Sequence, residues 1–338
     1  MTKLPTGSQP GTDVRFKLTN LSGSVAVLAI LFGTSIAIAA KNPAPSVPAV
    51  GLAELEMQVL LDRANFSPGQ IDDENGKNSR EAVAAFQAAR GIAPGARSRK
   101  AVLAALGAGS VKSIVYYTIT AADAAGPFLK TIPEDATEQS KLPGLYYTSL
   151  LEELSARFHS APTLLKRLNL RARFVAGERI RVPNVLSAKQ AEPAHAGAVK
   201  IVVSKIVVSK KTSVLMVYDQ KGRVIFYAPV TSGSEHDPLP FGNWVITDVV
   251  RNPTYNYNPD LFWDANPANA KVKIAAGPNN PVGVVWMGIN VPHYGIHGTP
   301  EAGEIGHSQS HGCVRMTNWD ASRVADLVKE GTPVVFEE

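Results

Sequence analysis

The chain has 338 residues, of which 45% are hydrophobic and 19% are charged, which is typical of a globular protein of two or three domains. Its formal net charge of +5 is too small to indicate a nucleic-acid partner, although it is compatible with an anionic polymer such as a cell wall. The single cysteine, Cys313, excludes a disulfide framework within the chain.

Residues 1–40 have the features of a secretory signal. Basic residues precede an apolar run at 25–32, and small residues suited to cleavage follow at 37–39. An uncleaved membrane anchor is the alternative, but this apolar stretch is shorter than the roughly 20 residues that cross a bilayer. We therefore expect cleavage near Ala39 or Ala40 and export to the periplasm or cell envelope. Membrane anchoring is expected only if the segment stays uncleaved.

A Pro-rich linker at 41–50 leads into residues 51–107, where three runs of apolar residues at helical spacing predict three short helices. Turns containing proline and glycine, at 67–69 and 91–95, separate them. By pattern alone this is a small helical spacer. The domain nevertheless resembles the three-helix peptidoglycan-binding module, in which Asp-Gly usually stands where this chain has Asp72-Asp73. The stretches that carry the resemblance are 58–61, 66–72, 82–87 and 91–92.

Residues 111–185 predict a second small domain, of the α+β class. A β-branched run at 111–120 predicts a strand, two leucine stripes predict helices, and 174–183 predicts a turn into a second strand. This order of strand, helix, helix and strand resembles the LysM glycan-binding module. The Gly-Asp-Thr step of that module is replaced here by residues 147–150. Glycan binding and a degenerate packing role are both open.

An Ala-rich linker at 186–198 precedes residues 199–338, where strand patterns dominate and predict a mainly β domain. The one clear helix begins after Thr317, where the capping-box spacing lies, and ends at Gly331. The first strand pattern is a tandem repeat of Ile-Val-Val-Ser-Lys. The predicted strands are 201–210, 214–218, 224–228, 244–247, 284–287 and 333–336.

Cys313 lies in the run Ser310-His311-Gly312-Cys313, whose polar and flexible composition suits a surface loop better than a core strand. A lone cysteine is usually a small buried hydrophobe. In an exported protein, however, an unpaired thiol favours a chemical role, and a nucleophile is the most direct one. The thiol needs a base to become a thiolate, and both His297 and His311 are candidates.

The run 296–299 followed by 310–316 resembles the active-site signature of the L,D-transpeptidases, whose catalytic domain is of the YkuD type. The resemblance implies a β-sandwich with a short helix over residues 199–338. It also implies that Cys313 is the nucleophile and His297 the general base. The carbonyl of Gly298 would fix the imidazole tautomer, and the amides of Gly312 and Cys313 would hold the oxyanion.

Other residues near the signature have two interpretations each. Arg315 either pairs with a carboxylate of the donor peptide or is a solvated charge. Ser310 and His311 either polarise the nucleophile or stabilise its loop. Tyr294 lines the pocket or belongs to the core, and residues 252–269, with Tyr255 and Trp263, form a lid or an ordinary loop.

The resemblance implies a peptidoglycan tetrapeptide stem as donor, release of D-Ala, and transfer of the acyl group to an amine, with no cofactor. A second stem as acceptor gives a 3-3 cross-link in cell-wall biogenesis, a protein amine gives wall anchoring, and water gives an L,D-carboxypeptidase. We expect the cross-linking reaction. The two upstream domains would then hold the enzyme on glycan, and a chain beginning near residue 199 should stay active on soluble fragments.

Two other classes of function are considered. A zinc hydrolase is suggested by the histidines and Cys313, but the spacing His293 to His297 contains glycine and lacks the glutamate of the helical zinc-protease pattern. A non-catalytic wall-binding protein would use only the upstream domains. The presence of both His297 and Cys313 argues against it.

Overall fold

A computed structural model describes residues 52–95, 97–185, 202–263, 265 and 269–338. The expected signal segment and both predicted linkers lie outside these residues, so they stay predictions. None of the helices in the described ranges is both long enough and apolar enough to cross a membrane.

The first domain contains the three predicted helices: α1 (Leu52–Arg63), α2 (Lys77–Arg90) and α3 (Ser98–Ala105). Phe86 of α2 and Val102 of α3 are buried between them, as the helical spacing of apolar residues predicts. Gly91 ends α2 in the left-handed conformation, with φ of +65°, which glycine adopts without strain.

The turn at Asp72-Asp73 is held by the side chain of Gln58. Its amide donates to Asp72 Oδ1 over 2.7 Å, and its carbonyl accepts from the Asp73 amide over 2.9 Å. Asp73 has φ of +67°, so it takes the left-handed conformation at the position where the resembled family has glycine. Its carboxylate also accepts from the Leu55 amide over 2.9 Å. These hydrogen bonds with α1 hold Asp73 in the conformation that glycine would take there.

The second domain has two more helices than the sequence predicts. An antiparallel pair, β1 (Ile114–Thr118) and β2 (Arg179–Pro183), packs on helices whose buried faces include Leu154 and Leu165. The unpredicted helices lie in the segment between β1 and the first leucine stripe. The helices are α4 (Ala121–Ala125), α5 (Ala136–Gln139), α6 (Leu150–Arg157) and α7 (Pro162–Leu168). The LysM likeness stays a prediction.

The third domain is mainly β, as predicted, and eight of its strands form one continuous sheet. The strands are β3 (Val203–Ser209), β4 (Val214–Asp219), β5 (Val224–Pro229), β6 (Gly242–Arg251), β7 (Tyr255–Tyr257), β8 (Val272–Ile274), β9 (Val285–Ile289), β10 (Gly295–His297), β11 (Val314–Arg315) and β12 (Pro333–Glu337). The order in the sheet is β11-β10-β9-β6-β12-β3-β4-β5, while β7 and β8 form a separate hairpin.

The prediction of a mainly β domain is confirmed, and the described sheet has two halves that share one strand; the β-sandwich arrangement stays a prediction. Strand β6 pairs with β12 through residues 242–245 and with β9 through residues 246–251, so the same strand belongs to both halves. The register shifts between Ile246 and Asp248, where an irregularity bends the strand. The fold is therefore one sheet curled at β6.

The helix α8 (Asn318–Leu327) covers the half of the sheet that carries the histidine-containing strand β10. Thr317 caps it by accepting from the Asp320 amide over 3.2 Å, as the capping-box spacing predicts. Val324 on its buried face packs into the same core as Met287 and Ile296. The helix thereby joins β9 and β10 to the segment that follows the cysteine.

The first domain shares a hydrophobic core with the third. Phe66 lies between Phe86, at 5.2 Å between ring centroids, and Tyr227 of β5, at 6.3 Å. The backbone adds two hydrogen bonds, from the Ser67 amide to the Tyr227 carbonyl over 2.8 Å and from the Tyr227 amide to the Asn65 carbonyl over 2.9 Å. The helical domain is thus packed on the catalytic sheet.

A buried polar cluster joins all three domains. Arg323 of α8 donates to both carboxylate oxygens of Asp62, in α1, over 2.9 and 3.1 Å. His159, from the second domain, places Nδ1 2.9 Å from Asp62 Oδ2. Asp320, also in α8, accepts from the Ser67 hydroxyl over 2.7 Å.

The charges in this cluster depend on one another. Burial raises the pKa of Asp320 to about 6. Burial acts in the same direction on Asp62, but Arg323 and His159 outweigh it and hold the pKa of Asp62 well below its usual range. The Asp62–Arg323 pair is therefore ionised in the folded protein.

Candidate active site

The cysteine lies in a tight turn that one side-chain and one backbone hydrogen bond hold. The Ser310 hydroxyl donates to the Cys313 carbonyl over 2.5 Å, and the Ser310 carbonyl accepts from the Ser234 amide over 3.0 Å. Gly312 has φ of +97°, and a Cβ there would lie 2.4 Å from Cε1 of Tyr294. Only glycine fits both that conformation and that approach.

The Cys313 thiol is neutral at physiological pH. Burial raises the pKa of Cys313 to about 11, although a backbone hydrogen bond at Gly295 and the charge of Arg315 oppose this shift. The Sγ atom donates to the His293 carbonyl over 3.6 Å. A nucleophile in this environment needs a base that removes the proton during attack.

His297 is placed to act as such a base. It lies at the end of β10, is 4% exposed, and its Nδ1 is 2.6 Å from the carbonyl of Gly298. A carbonyl can only accept, so Nδ1 carries the proton and Nε2 keeps a free lone pair. Burial lowers the pKa of His297 to about 4; the Gly298 carbonyl opposes that shift and the charge of Arg315 adds to it.

An aromatic ring packs against the imidazole of His297. Trp286 of β9 stacks on His297 with ring centroids 5.5 Å apart and planes 21° from parallel. A Cβ at Gly295 would lie 2.6 Å from the same indole, so glycine at this position leaves room for the tryptophan. The sequence indicates Trp286 only as a strand residue.

Five of the predicted site residues line one cavity of about 620 Å³. They are Cys313, His297, His311, Arg315 and Tyr294. Gly298 and Gly312 act through their backbones. Ser310 does not line the cavity and is 3% exposed, so its contacts favour the interpretation that it stabilises the loop.

Residues between 253 and 262 form one wall of this cavity. Tyr255 and Phe262 line it, and Phe262 meets the ring of His311 edge-on with centroids 5.0 Å apart. Trp263 is 62% exposed and stacks on His236 at 4.4 Å. Aromatic side chains of this segment therefore lie beside His311, and the lid stays a prediction.

Arg315 is held by its backbone next to strand β10. Its register partner in β10 is His297, and its amide and carbonyl both pair with Thr231, over 2.8 and 3.0 Å. The guanidinium places a positive charge in the cavity that also contains Cys313. Such a charge suits an anionic substrate group.

Within the described ranges, no three side chains among histidine, cysteine, aspartate and glutamate gather closely enough to hold a metal ion. The histidines that suggested a zinc site are directed to different partners. His297 bonds to a backbone carbonyl, and His311 packs against the ring of Phe262.

Comparison with known proteins agrees with this geometry. Residues 204–336 match the family model described as YkuD, L,D-transpeptidase catalytic domain. A Bacillus subtilis protein, "Putative L,D-transpeptidase YkuD", is 28% identical over 188 residues, which are 55% of this chain and 92% of that protein. The Escherichia coli K12 protein "Probable L,D-transpeptidase YbiS" is 31% identical over 136 residues, 39% of this chain and 44% of that protein.

Solved structures of such enzymes also align, at low similarity. An L,D-transpeptidase from Mycobacterium smegmatis shows 18% identity and a TM-score of 0.32, covering 50% of this chain and 77% of that one. The similarity of residues 204–336 to L,D-transpeptidase catalytic domains rests on the family model and on the sequence relatives.

Proposed function

We propose that the chain is an L,D-transpeptidase in which Cys313 is the nucleophile and His297 the general base; the match of residues 204–336 to the YkuD-type catalytic domain and the similar curated proteins support this. The observation that carries this assignment is the fixed tautomer of His297. The carbonyl of Gly298 occupies Nδ1 at 2.6 Å, which leaves Nε2 available in the cavity that Cys313 also lines.

The first half of the reaction is acylation. The sulfur of Cys313 attacks the carbonyl carbon of the third stem residue while its proton passes to Nε2 of His297. The bond to the terminal D-Ala then breaks, and the leaving amine takes the proton from the imidazolium. A thioester on Cys313 and free D-Ala result. Because burial keeps both groups neutral at rest, the proton transfer accompanies the attack.

Two backbone amides are suited to the negative charge that develops in this step. The amides of Gly312 and Cys313 would hold the oxyanion, and in support the Ser310 hydroxyl keeps their turn closed by bonding to the Cys313 carbonyl. Amides that are fixed in advance stabilise an oxyanion without reorganisation. Tyr294, packed against Gly312, keeps that turn in place.

The second half of the reaction transfers the acyl group. An acceptor amine attacks the thioester, His297 takes the amine proton, and the thiol of Cys313 is regenerated. A second stem as acceptor gives a 3-3 cross-link, which we favour because the two upstream domains resemble wall-binding modules. Arg315 would pair with a carboxylate of the donor stem, since its charge faces the same cavity.

Incubation of the purified enzyme with disaccharide-tetrapeptide, followed by mass spectrometry, tests this reaction. We expect a dimer that has lost one D-Ala. Tripeptide alone would instead show an L,D-carboxypeptidase, and a peptide attached to an added protein would show wall anchoring. The same incubation with Arg315→Gln is expected to raise KM about tenfold, the loss of one charged hydrogen bond; an unchanged KM would leave Arg315 as a surface charge.

We further propose that residues 51–107 and 111–185 hold the enzyme on the wall, and that the protein works in the periplasm or cell envelope. The resemblance to peptidoglycan-binding and LysM modules supports both proposals. The inactive full chain, Cys313→Ala, should sediment with insoluble peptidoglycan but stay in solution with cellulose. Equal behaviour with both polymers would assign the two domains to structure alone.

A further inference from the structure

Asn318, the first residue of α8, lies between two glycines that border the active site. A Cβ at Gly298 would lie 2.2 Å from Asn318 Oδ1, and a Cβ at Gly283 would lie 2.0 Å from the same atom. Real side chains never approach so closely, so the carboxamide occupies the space that both glycines leave. Asn318 is thus one reason that only glycine fits at both positions; at Gly283 a φ of +61° and the Gly298 backbone add to it.

The carboxamide also bonds to the segment that leads into β9. Its Oδ1 accepts from the Val284 amide over 3.1 Å, and its Nδ2 donates to the Pro278 carbonyl over 2.9 Å. The neighbouring strand residue, Val285, accepts through its carbonyl from the Gly298 amide over 3.1 Å. Asn318 therefore contacts Gly298 directly. It also holds the start of β9, the strand whose Val285 carbonyl accepts from the Gly298 amide.

The Gly298 carbonyl is the group that holds Nδ1 of His297. We propose that Asn318 is a positioning residue for catalysis: by confining the Gly298 peptide, it keeps His297 in the tautomer whose Nε2 receives the thiol proton. This inference rests on the proposed roles of His297 and Cys313. Neither interaction of Asn318 involves the reacting atoms, so the effect passes through the Gly298 backbone.

Helix capping does not account for this side chain. Thr317 already caps α8, accepting from the Asp320 amide. The carboxamide of Asn318 instead bonds to the segment before β9, where its Oδ1 accepts from the Val284 amide and its Nδ2 donates to the Pro278 carbonyl. Aspartate has the same shape but cannot donate to the Pro278 carbonyl, and it adds a charge beside the carbonyl of Gly298.

Nuclear magnetic resonance of the ¹⁵N-labelled full chain reads the tautomer directly. The His297 signals, assigned with His297→Gln, should show Nδ1 protonated in the unchanged protein. In Asn318→Ala, and to a lesser degree in Asn318→Asp, we expect a mixture containing the Nε2-protonated form. Free imidazole prefers that form when no partner fixes Nδ1. Ser322→Ala is the matched control, because the Ser322 hydroxyl donates to the Asn318 carbonyl over 2.8 Å without contacting Gly298.

The rate of covalent adduct formation with a carbapenem is measured on the same samples, normalised to folded protein. Asn318→Ala should slow it about 10- to 100-fold, the effect of a small misplacement of a catalytic group, and Ser322→Ala should leave it unchanged. An Nδ1-protonated His297 together with an unchanged rate in Asn318→Ala overturns the inference. Failure of the unchanged protein to form any adduct would instead count against the proposed function, and the tautomer comparison would still decide the role of Asn318.

Discussion

Replacing Cys313 by alanine is expected to abolish the covalent adduct and to lower turnover at least about 10³-fold. The reason is that no second nucleophile is available in the turn: the neighbouring Ser310 hydroxyl is buried and donates to the Cys313 carbonyl. Mass spectrometry of the intact protein after exposure to a carbapenem, alongside a turnover assay with disaccharide-tetrapeptide, measures both effects.

Thermal unfolding provides the control for this variant. The hydrogen bonds described for the thiol are weak contacts with backbone groups, at Gly295 and, over 3.6 Å, at the His293 carbonyl, so the melting temperature should change little. Cys313→Ser preserves the shape of the turn but supplies a weaker nucleophile, and it should also be inactive in turnover. Substantial turnover by a folded Cys313→Ala protein would show that another group carries the acyl chain.

Replacing Arg323 by alanine is expected to lower the free energy of unfolding by about 3–5 kcal/mol, since it leaves Asp62 charged and buried. The Arg323 side chain is 11% exposed and that of Asp62 is fully buried. Both are fixed by a two-point hydrogen bond between α8 and α1. Chemical denaturation of the full chain, followed by circular dichroism, measures the loss.

Arg251→Ala is the matched control. Arg251, in β6, pairs at the surface with Asp326 of α8, the helix that also carries Arg323, and the two side chains are 47% and 57% exposed. An exposed pair contributes less than about 1 kcal/mol, so this variant should keep the stability of the unchanged protein. Asp62→Leu combined with Arg323→Met removes both charges and should recover most of the loss. Equal losses in Arg323→Ala and Arg251→Ala would show that burial does not distinguish the two pairs.

The parts of the molecule that the sequence predicts well are those that depend on near neighbours. Helical spacing locates α1, α2, α3, α6 and α7, and the capping pattern at Thr317 locates the start of α8. The signature around Cys313 likewise brings Cys313, His297, Arg315, His311 and Tyr294 into one cavity. In each case the pattern lies within a few turns or within the two short segments of the signature.

Contacts between distant segments leave no such pattern. The carboxylate of Asp62 meets Arg323 across 261 residues of sequence, and nothing near Asp62 indicates that partner. Asn318 contacts Gly298 and Gly283 only because α8 crosses β9 and β10. The bend in β6 also leaves no local pattern, because it is set by the two different neighbours of that strand.

The backbone of residues 65–67 has a further consequence when the catalytic domain is studied alone. Strand β5 is the last strand of the sheet, and its open side is bonded to this segment at Tyr227. A chain that begins near residue 199 would expose an unpaired strand edge together with the buried ring of Tyr227, and such edges recruit other strands. We therefore expect the truncated chain to self-associate even where it is active on soluble fragments, whereas in a chain that begins at residue 52 the segment 65–67 still covers this edge.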